Sequence, residues 1–214
     1  MEIKVIKKTL RGLGLYHGKL DNTLNDKFTL SIKAFQRINP PLVVDGIIGP
    51  KTLGELSIPN FKPDQQTNIE AVYGKINTNQ TKVILPYKMK LAWDTNIVIN
   101  KFTCHRMIVL KLELIFTEIL SHYGRKKIQE LGLDLFGGCL NVRKTRGGSS
   151  YSTHSWGIAV DLHPAGNRLT WNDGKAVFAK KEYDKFWQIV EDNGGVSLGR
   201  VKNYDWMHFQ FINI

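Results

Sequence analysis

The segment STHSWGIAVDLH, residues 152–163, contains the pattern that decides the fold of the larger part of this chain. From Gly157 onward apolar residues alternate with others, which predicts a β-strand over 157–163. Side chains of a strand point alternately to its two faces. One face of the predicted strand therefore carries Ile158, Val160 and Leu162, and the other carries Ala159, Asp161 and His163.

A second segment, DWMHFQF at residues 205–211, alternates in the same way from Trp206 onward and predicts a terminal strand. Regular alternation would turn Asp205 away from His208. We therefore expect a bend in the backbone between these two residues.

His154, Asp161 and His208 provide two imidazoles and one carboxylate, which can converge if the two strands are neighbours. A catalytic zinc takes three such protein ligands at about 2.0–2.2 Å and leaves a fourth position to water. A single histidine in a strand is more often a hydrogen-bonded structural residue than a ligand. The metal hypothesis therefore depends on the complete set.

The first 58 residues form a separate region in which short amphipathic helices alternate with turns. One apolar series at helical spacing stops at Gly14, a second ends before Pro40, and a third helix is expected to open at Pro50. The region also contains a degenerate repeat at an offset of about 24 residues. The aligned positions are Asp21, Leu24, Lys27 and Ile32 with Asp45, Ile48, Lys51 and Leu56.

Residues 59–68 contain two prolines and are mostly polar, which predicts a linker. The remainder, 69–214, mixes helical and strand patterns, with helices expected over 105–123 and around 183–190. We predict an α+β fold, in which a small three-helix domain over 1–58 precedes a domain over 69–214 with a mainly antiparallel sheet flanked by helices.

Charge and composition limit the partners. The net charge of +11 favours polyanions, including nucleic acid, acidic membranes and the anionic polymers of cell walls. The charge is spread along the chain without a basic block, so we expect no nucleic-acid binding. No apolar stretch is long enough to span a membrane, so we expect a soluble protein that does not insert into membranes. Cys104 and Cys139 have no metal-binding spacing and are expected to be buried free thiols.

The turn DGIIGPKT at residues 45–52, preceded by AFQ at 34–36, resembles the three-helix peptidoglycan-binding domain found on many wall hydrolases. The resemblance covers about residues 1–58. It implies a non-catalytic module that holds an enzyme on bacterial peptidoglycan.

The motifs S-x-H-x-x-G-x-A-x-D at 152–161 and D-W-x-H at 205–208, with GC at 138–139, RG at 146–147 and SLGR at 197–200, resemble a zinc peptidase family. This family includes D-alanyl-D-alanine carboxypeptidases and the L-alanyl-D-glutamate endopeptidases of phage endolysins. The resemblance implies Zn²⁺ bound by His154, Asp161 and His208, with Asp205 as general base.

Three further polar residues are candidates for the same site. Arg143 or Arg146 could hold a substrate carboxylate or the developing oxyanion, and the resemblance favours Arg143. A solvated surface charge is nearly as good an explanation for either arginine. Ser152 could orient a ligand or the substrate, although capping a turn is an equal alternative.

The leading hypothesis is an endolysin-type zinc endopeptidase that cleaves an amide of the peptidoglycan stem, with L-Ala-D-Glu as the expected bond. A D-alanyl-D-alanine carboxypeptidase and a catalytically silent wall-binding protein with structural zinc are the alternatives. We expect a monomer. Because no apolar block follows the basic start of the chain, we expect synthesis in the host cytoplasm without a signal peptide and action on the wall after phage-type release.

Overall fold

A computed structural model describes residues 3–56 and 69–212. The predicted linker, 59–68, lies outside the described residues. The chain divides into two compact units, Met1–Phe61 and Lys62–Ile214. In the described parts, no helix is both long enough and apolar enough to cross a membrane.

The N-terminal unit contains the three predicted helices: α1 (Ile3–Gly12), α2 (Asp26–Ile38) and α3 (Pro50–Leu56). Asn25 caps α2, because its side chain accepts a hydrogen bond from Phe28 N. The helices bury one apolar face each, and the residues that form this small core include Ile6, Leu10, Phe28, Ile32, Phe35 and Leu56.

The sequence repeat corresponds to two similar turns. In each turn the aspartate accepts a hydrogen bond from the backbone N–H two residues later, at 3.1 Å for Asp21 and 2.8 Å for Asp45. Each aspartate is also held by a buried polar side chain from the preceding helix. Lys7 Nζ lies 2.6 Å from Asp21 Oδ1, and Gln36 Nε2 lies 2.7 Å from Asp45 Oδ1. A buried donor thus fixes each turn against the helical core.

We predict that Gln36→Leu destabilises the N-terminal unit. Gln36 donates to Asp45 Oδ1 and Ile47 O and accepts from Gly46 N, so leucine would leave these groups without their partner. A typical hydrogen bond of this kind contributes about 0.5–1.5 kcal/mol to stability. Urea unfolding of the full chain measures the loss. Arg37→Gln, at the exposed next position of α2, is the control, and equal midpoints for both variants would contradict the prediction.

The C-terminal unit is an α+β domain, as predicted. Its sheet has the strand order β2-β1-β3-β4-β6-β5; β1 and β3 run parallel and the other pairings are antiparallel. Short 3-10 turns occupy Thr153–Trp156, Pro164–Gly166, Val177–Ala179 and Lys181–Tyr183. The regular elements are α4 (Ile69–Tyr73), β1 (Gln80–Leu91), β2 (Asp94–His105), α5 (Val109–Glu130), β3 (Leu135–Gly138), β4 (Ala159–Leu162), α6 (Asp184–Asp192), β5 (Val196–Ser197), α7 (Leu198–Lys202) and β6 (His208–Gln210).

The sheet has an inner face, which contributes to the core, and an outer face. Strand pairing places the inner-face residues side by side, and these include Val83, Phe102, Phe136, Leu162, Val160 and Phe209. Helix α5 packs against β1. The outer face carries Asp161 of β4, which is paired with His208 of β6. The predicted alternation of residues 158–162 is therefore correct.

The long hairpin of β1 and β2 was not predicted. β1 does alternate, because Val83, Leu85, Tyr87 and Met89 are all buried. Pro86 obscured the pattern, since proline lacks the N–H that a central strand donates. It lies within the register irregularity between Ile84 and Met89.

Helix and strand bounds also differ from the predictions. His105 was expected to open the main helix but ends β2, where it pairs with Gln80, and α5 begins at Val109. The expected stop at Gly124 is a break with φ 67° and ψ 161°, after which helix resumes to Glu130. The strands predicted at 157–163 and 206–211 are shorter, because a turn precedes each of them.

Candidate metal centre and active site

Three segments bring the predicted ligand residues together. His154 lies in the 3-10 turn before β4, Asp161 lies on β4, and His208 is the first residue of β6. One donor atom from each side chain lies within 4.8 Å of the other two. The sheet therefore collects residues that are more than fifty positions apart in the chain, as the pairing of Asp161 with His208 requires.

The spacing of the three donor atoms suits a tetrahedral ion. His154 Nε2 lies 3.2 Å from Asp161 Oδ1 and 3.2 Å from His208 Nδ1, and the last two atoms are 2.9 Å apart. Ligands at about 2.0 Å in a tetrahedron are separated by about 3.3 Å. The three atoms thus approximate one triangular face of such a site.

The second nitrogen of each imidazole faces a hydrogen-bond acceptor. His154 Nδ1 donates to Cys139 O at 2.7 Å, and His208 Nε2 donates to Gln210 Oε1 at 3.1 Å. With both rings neutral, each would present its unprotonated nitrogen to the carboxylate of Asp161. Three lone pairs would then converge on one point, where a cation can be bound. The donor set fits a metal ion.

The charges of the cluster support cation binding. Burial opposes ionisation of Asp161, but the charge and hydrogen bonds of the two histidines outweigh it and hold its pKa well below its usual range. Burial also opposes protonation of His208, yet Asp161 raises the pKa of this imidazole. The low pKa of Asp161 therefore keeps a negative charge at the point where a cation would bind.

Gln210 is a functional candidate that the sequence reasoning missed. Its side chain is buried, and its Oε1 accepts from His208 Nε2 and from Thr153 Oγ1 at 3.2 Å. Its Nε2 donates to Ile212 O at 3.2 Å, which fixes the orientation of the amide. The sequence pattern indicates this contact, because residues two apart on a strand, such as His208 and Gln210, share a face.

Asp205 lies beside the cluster, but its side chain forms no hydrogen bond with His154, Asp161 or His208. It adopts φ 55°, and His208 N donates to Asp205 O at 3.0 Å, so the expected bend is confirmed. The residue is 8% exposed, and its Oδ1 has no hydrogen-bond partner among the described residues. Burial raises the pKa of Asp205 to about 6, and Asp161 adds to this effect while His208 opposes it.

A pocket of about 340 Å³ opens over the cluster, and all seven predicted site residues line it. The backbone of Arg143 is fixed by Ser155, whose hydroxyl accepts from Arg143 N at 3.1 Å and contacts Arg143 O at 2.9 Å. Arg146 is exposed. The Ser152 hydroxyl accepts from His154 N at 3.4 Å, so it caps the turn that carries this histidine.

The rest of the pocket lining is mixed in character. Aliphatic side chains come from Ile69, Leu169, Leu198 and Met207. Tyr151 and Tyr204 are 47% and 42% exposed and also line the pocket, although the sequence reasoning did not single them out. The pocket can therefore contact both an anionic group and small apolar groups of a ligand.

The other histidines of this unit lie outside the pocket lining. His105 Nε2 donates to Tyr73 O at 2.8 Å, and its Nδ1 accepts from Met107 N, so both ring nitrogens are occupied by backbone groups. The His163 ring packs against the Phe178 ring at a centroid distance of 5.8 Å. Cys104 and Cys139 are buried free thiols, as expected.

Comparison with protein families defines the class of each region. Residues 145–211 match the family model of D-alanyl-D-alanine carboxypeptidase, so the site lies in a peptidase domain. Residues 2–56 match the model of a peptidoglycan binding domain, and the combination is that of a peptidoglycan hydrolase. A search of curated proteins and a search of solved structures found no match.

We predict that Gln210→Leu weakens metal binding about 10- to 100-fold, because His208 loses the acceptor that fixes its tautomer. Competition between the protein and a chromophoric chelator for Zn²⁺ measures the affinity. Gln210→Glu retains an acceptor at the same place and is the matched control. Unchanged Zn²⁺ affinity of the leucine variant would show that Gln210 does not position His208.

Proposed function

We propose that this chain is a zinc-dependent endopeptidase that hydrolyses the L-Ala-D-Glu amide of peptidoglycan stem peptides. One observation carries the proposal: a convergent His-Asp-His donor set lies in the same pocket as a buried carboxyl group, Asp205, whose Oδ1 has no partner among the described residues. A metal site with only a structural role does not require an unliganded acid beside it.

The proposed roles follow from the positions of the side chains. His154, Asp161 and His208 would hold the ion, which when bound supplies Lewis acidity to water and to the scissile carbonyl. Asp205 accepts a proton from the attacking water and returns it to the leaving amine. Its raised pKa makes it a stronger base than an exposed aspartate.

Arg143 and Arg146 are proposed to bind a substrate carboxylate. Arg143 lies close enough to Asp205 to oppose the rise of its pKa, so a carboxylate held there would lie next to the reacting amide. A γ-linked D-Glu has a free α-carboxylate beside the amide nitrogen that L-Ala acylates, and the aliphatic lining residues suit the methyl group of alanine.

D-alanyl-D-alanine carboxypeptidase activity is the second candidate. The match of residues 145–211 to the family of that description favours it, and a terminal D-Ala also has a free carboxylate beside the scissile amide. The preference for the endopeptidase rests on the acid at position 205, which is aspartate here, because the resemblance to the zinc peptidase family implies that its carboxypeptidase members often have glutamate at this position.

We predict that Asp205→Asn abolishes hydrolysis and stabilises the metal-free protein at pH 7.5. Losing a general base costs about 10²- to 10⁴-fold in rate. A rise in the pKa from 3.8 to about 6 means that ionised Asp205 costs about 3 kcal/mol of folding free energy. This cost develops as pH rises from about 4 to about 6, so the variant gains stability at pH 7.5 and none near pH 3.5.

Unfolding of both proteins in EDTA at the two pH values measures the difference, and release of muropeptide products measures the activity. Asp192→Asn, at an exposed carboxylate at the end of α6, is the matched control. Retained hydrolysis in Asp205→Asn would exclude this residue as the base. Equal stability of the variant and the parent at pH 7.5 would show that the buried, ionised Asp205 does not destabilise the protein.

The cleaved bond is tested with purified muropeptides, whose products are identified by mass spectrometry and amino-terminal labelling. We expect a new amino terminus on D-Glu, loss of activity in chelator and recovery with Zn²⁺. His208→Ala should be inactive, whereas His122→Ala, at an exposed position on α5, should be active. Release of D-Ala alone would establish the carboxypeptidase instead. Zn²⁺ binding without any cleavage would indicate a silent wall-binding protein.

Action after phage-type release and a monomeric state stay predictions of the sequence. Secretion from cells that lack any lytic partner would contradict the first of them.

A further inference from the structure

The outer face of the β1-β2 hairpin combines positive charge with exposed apolar groups. Its lysines, which we call the lysine face, are Lys82, Lys88, Lys90 and Lys101, and all four are exposed. Ile84 and Val98 are 57% and 51% exposed on the same face, and Trp93 at the hairpin turn is 66% exposed.

Strand register places the lysine face on the same side of the sheet as the metal cluster. Ile84 pairs with Lys101, and Lys90 pairs with Val98 and with Leu135 of β3. β3 pairs in turn with β4, which carries Asp161. With strands about 4.8 Å apart, β1 lies about 10 Å from β4 across the sheet.

On β3, Leu135 lies beside Lys90, and two glycines lie nearer to Asp161. Gly137 and Gly138 bring no side chain to the strand beside Asp161. A Cβ atom at Gly137 would lie 3.0 Å from Asp161 Cβ and 3.0 Å from Asp161 O, so a larger residue would displace the ligand strand. These two glycines therefore place no side chain on the sheet surface beside the pocket.

The positive charges of the lysine face are available to an anionic ligand. Among residues 3–56 and 69–212, none of its four lysines forms a salt bridge. An extended anionic ligand could therefore neutralise them without breaking existing pairs. The lysine stems, Ile84 and Val98 add apolar contact for a polymer that is only partly charged.

We propose that the lysine face binds the peptidoglycan polymer beside the cleaved stem, through carboxylates of the same or neighbouring stem peptides. This inference rests on the proposed function, because it takes the occupant of the pocket to be a peptidoglycan stem. The face shares one side of the sheet with that pocket, so a polymer that occupies one can continue onto the other. The enzyme then prefers the intact polymer to short soluble fragments.

The test compares two variants of the full chain that remove the same charge. The face variant carries Lys→Gln at 82, 88, 90 and 101. The control variant carries Lys→Gln at 126, 175, 180 and 181, which are exposed positions elsewhere in the same unit. Both are also made with Asp205→Asn for pelleting with peptidoglycan sacculi that have been stripped of phosphate polymers, across a salt series.

We expect the face variant to bind sacculi about tenfold more weakly at moderate salt, with a smaller salt dependence, and the control variant to bind as the parent does. With Asp205 present, both variants should hydrolyse a soluble monomeric muropeptide at the parent's rate. Equal losses in both variants, or no loss in either, would overturn the proposal. The proposal would also be overturned if the face variant lost only binding to DNA, or only binding to sacculi that retain their phosphate polymers.

Failure of the proposed function gives a different result. If the parent protein cleaves no muropeptide, the hydrolase proposal fails, while the pelleting assay still reports whether the lysine face binds the polymer.

Discussion

The cross-strand pair of Asp161 and His208 is the constraint on which the site depends. Two strands must meet in this register for a carboxylate oxygen and an imidazole nitrogen to lie 2.9 Å apart. A shift of one residue would move Asp161 to the inner face, where Val160 and Leu162 fill the core. The hydrophobic alternation of β4 therefore sets the position of the ligand as firmly as the polar contacts do.

The acid beside this pair is held by the backbone. Asp205 occupies a left-handed conformation that non-glycine residues seldom adopt, and Asp205 N donates to Leu169 O at 2.9 Å. The turn that follows brings His208 back to the same pocket. This geometry keeps the carboxyl group of Asp205 near the His-Asp-His cluster without making it a member of that cluster.

Much of this arrangement could be predicted from the sequence, because it depends on local periodicity. The three N-terminal helices, the alternation of β4 and the bend before His208 follow from spacing of two or about 3.6 residues. The β1-β2 hairpin was missed because Pro86 interrupts its pattern. The placement of Arg143 depends on hydrogen bonds between its backbone and Ser155, and no periodicity reports such long-range contacts.

The irregular register of β1 and β2 has a consequence for the protein at high concentration. β2 is an edge strand of twelve residues, long enough to template pairing with another chain. The register shifts twist this edge, Lys101 adds charge to it, and the opposite edge, β5, has two residues. Both edges of the sheet are thus poor templates for pairing with another chain.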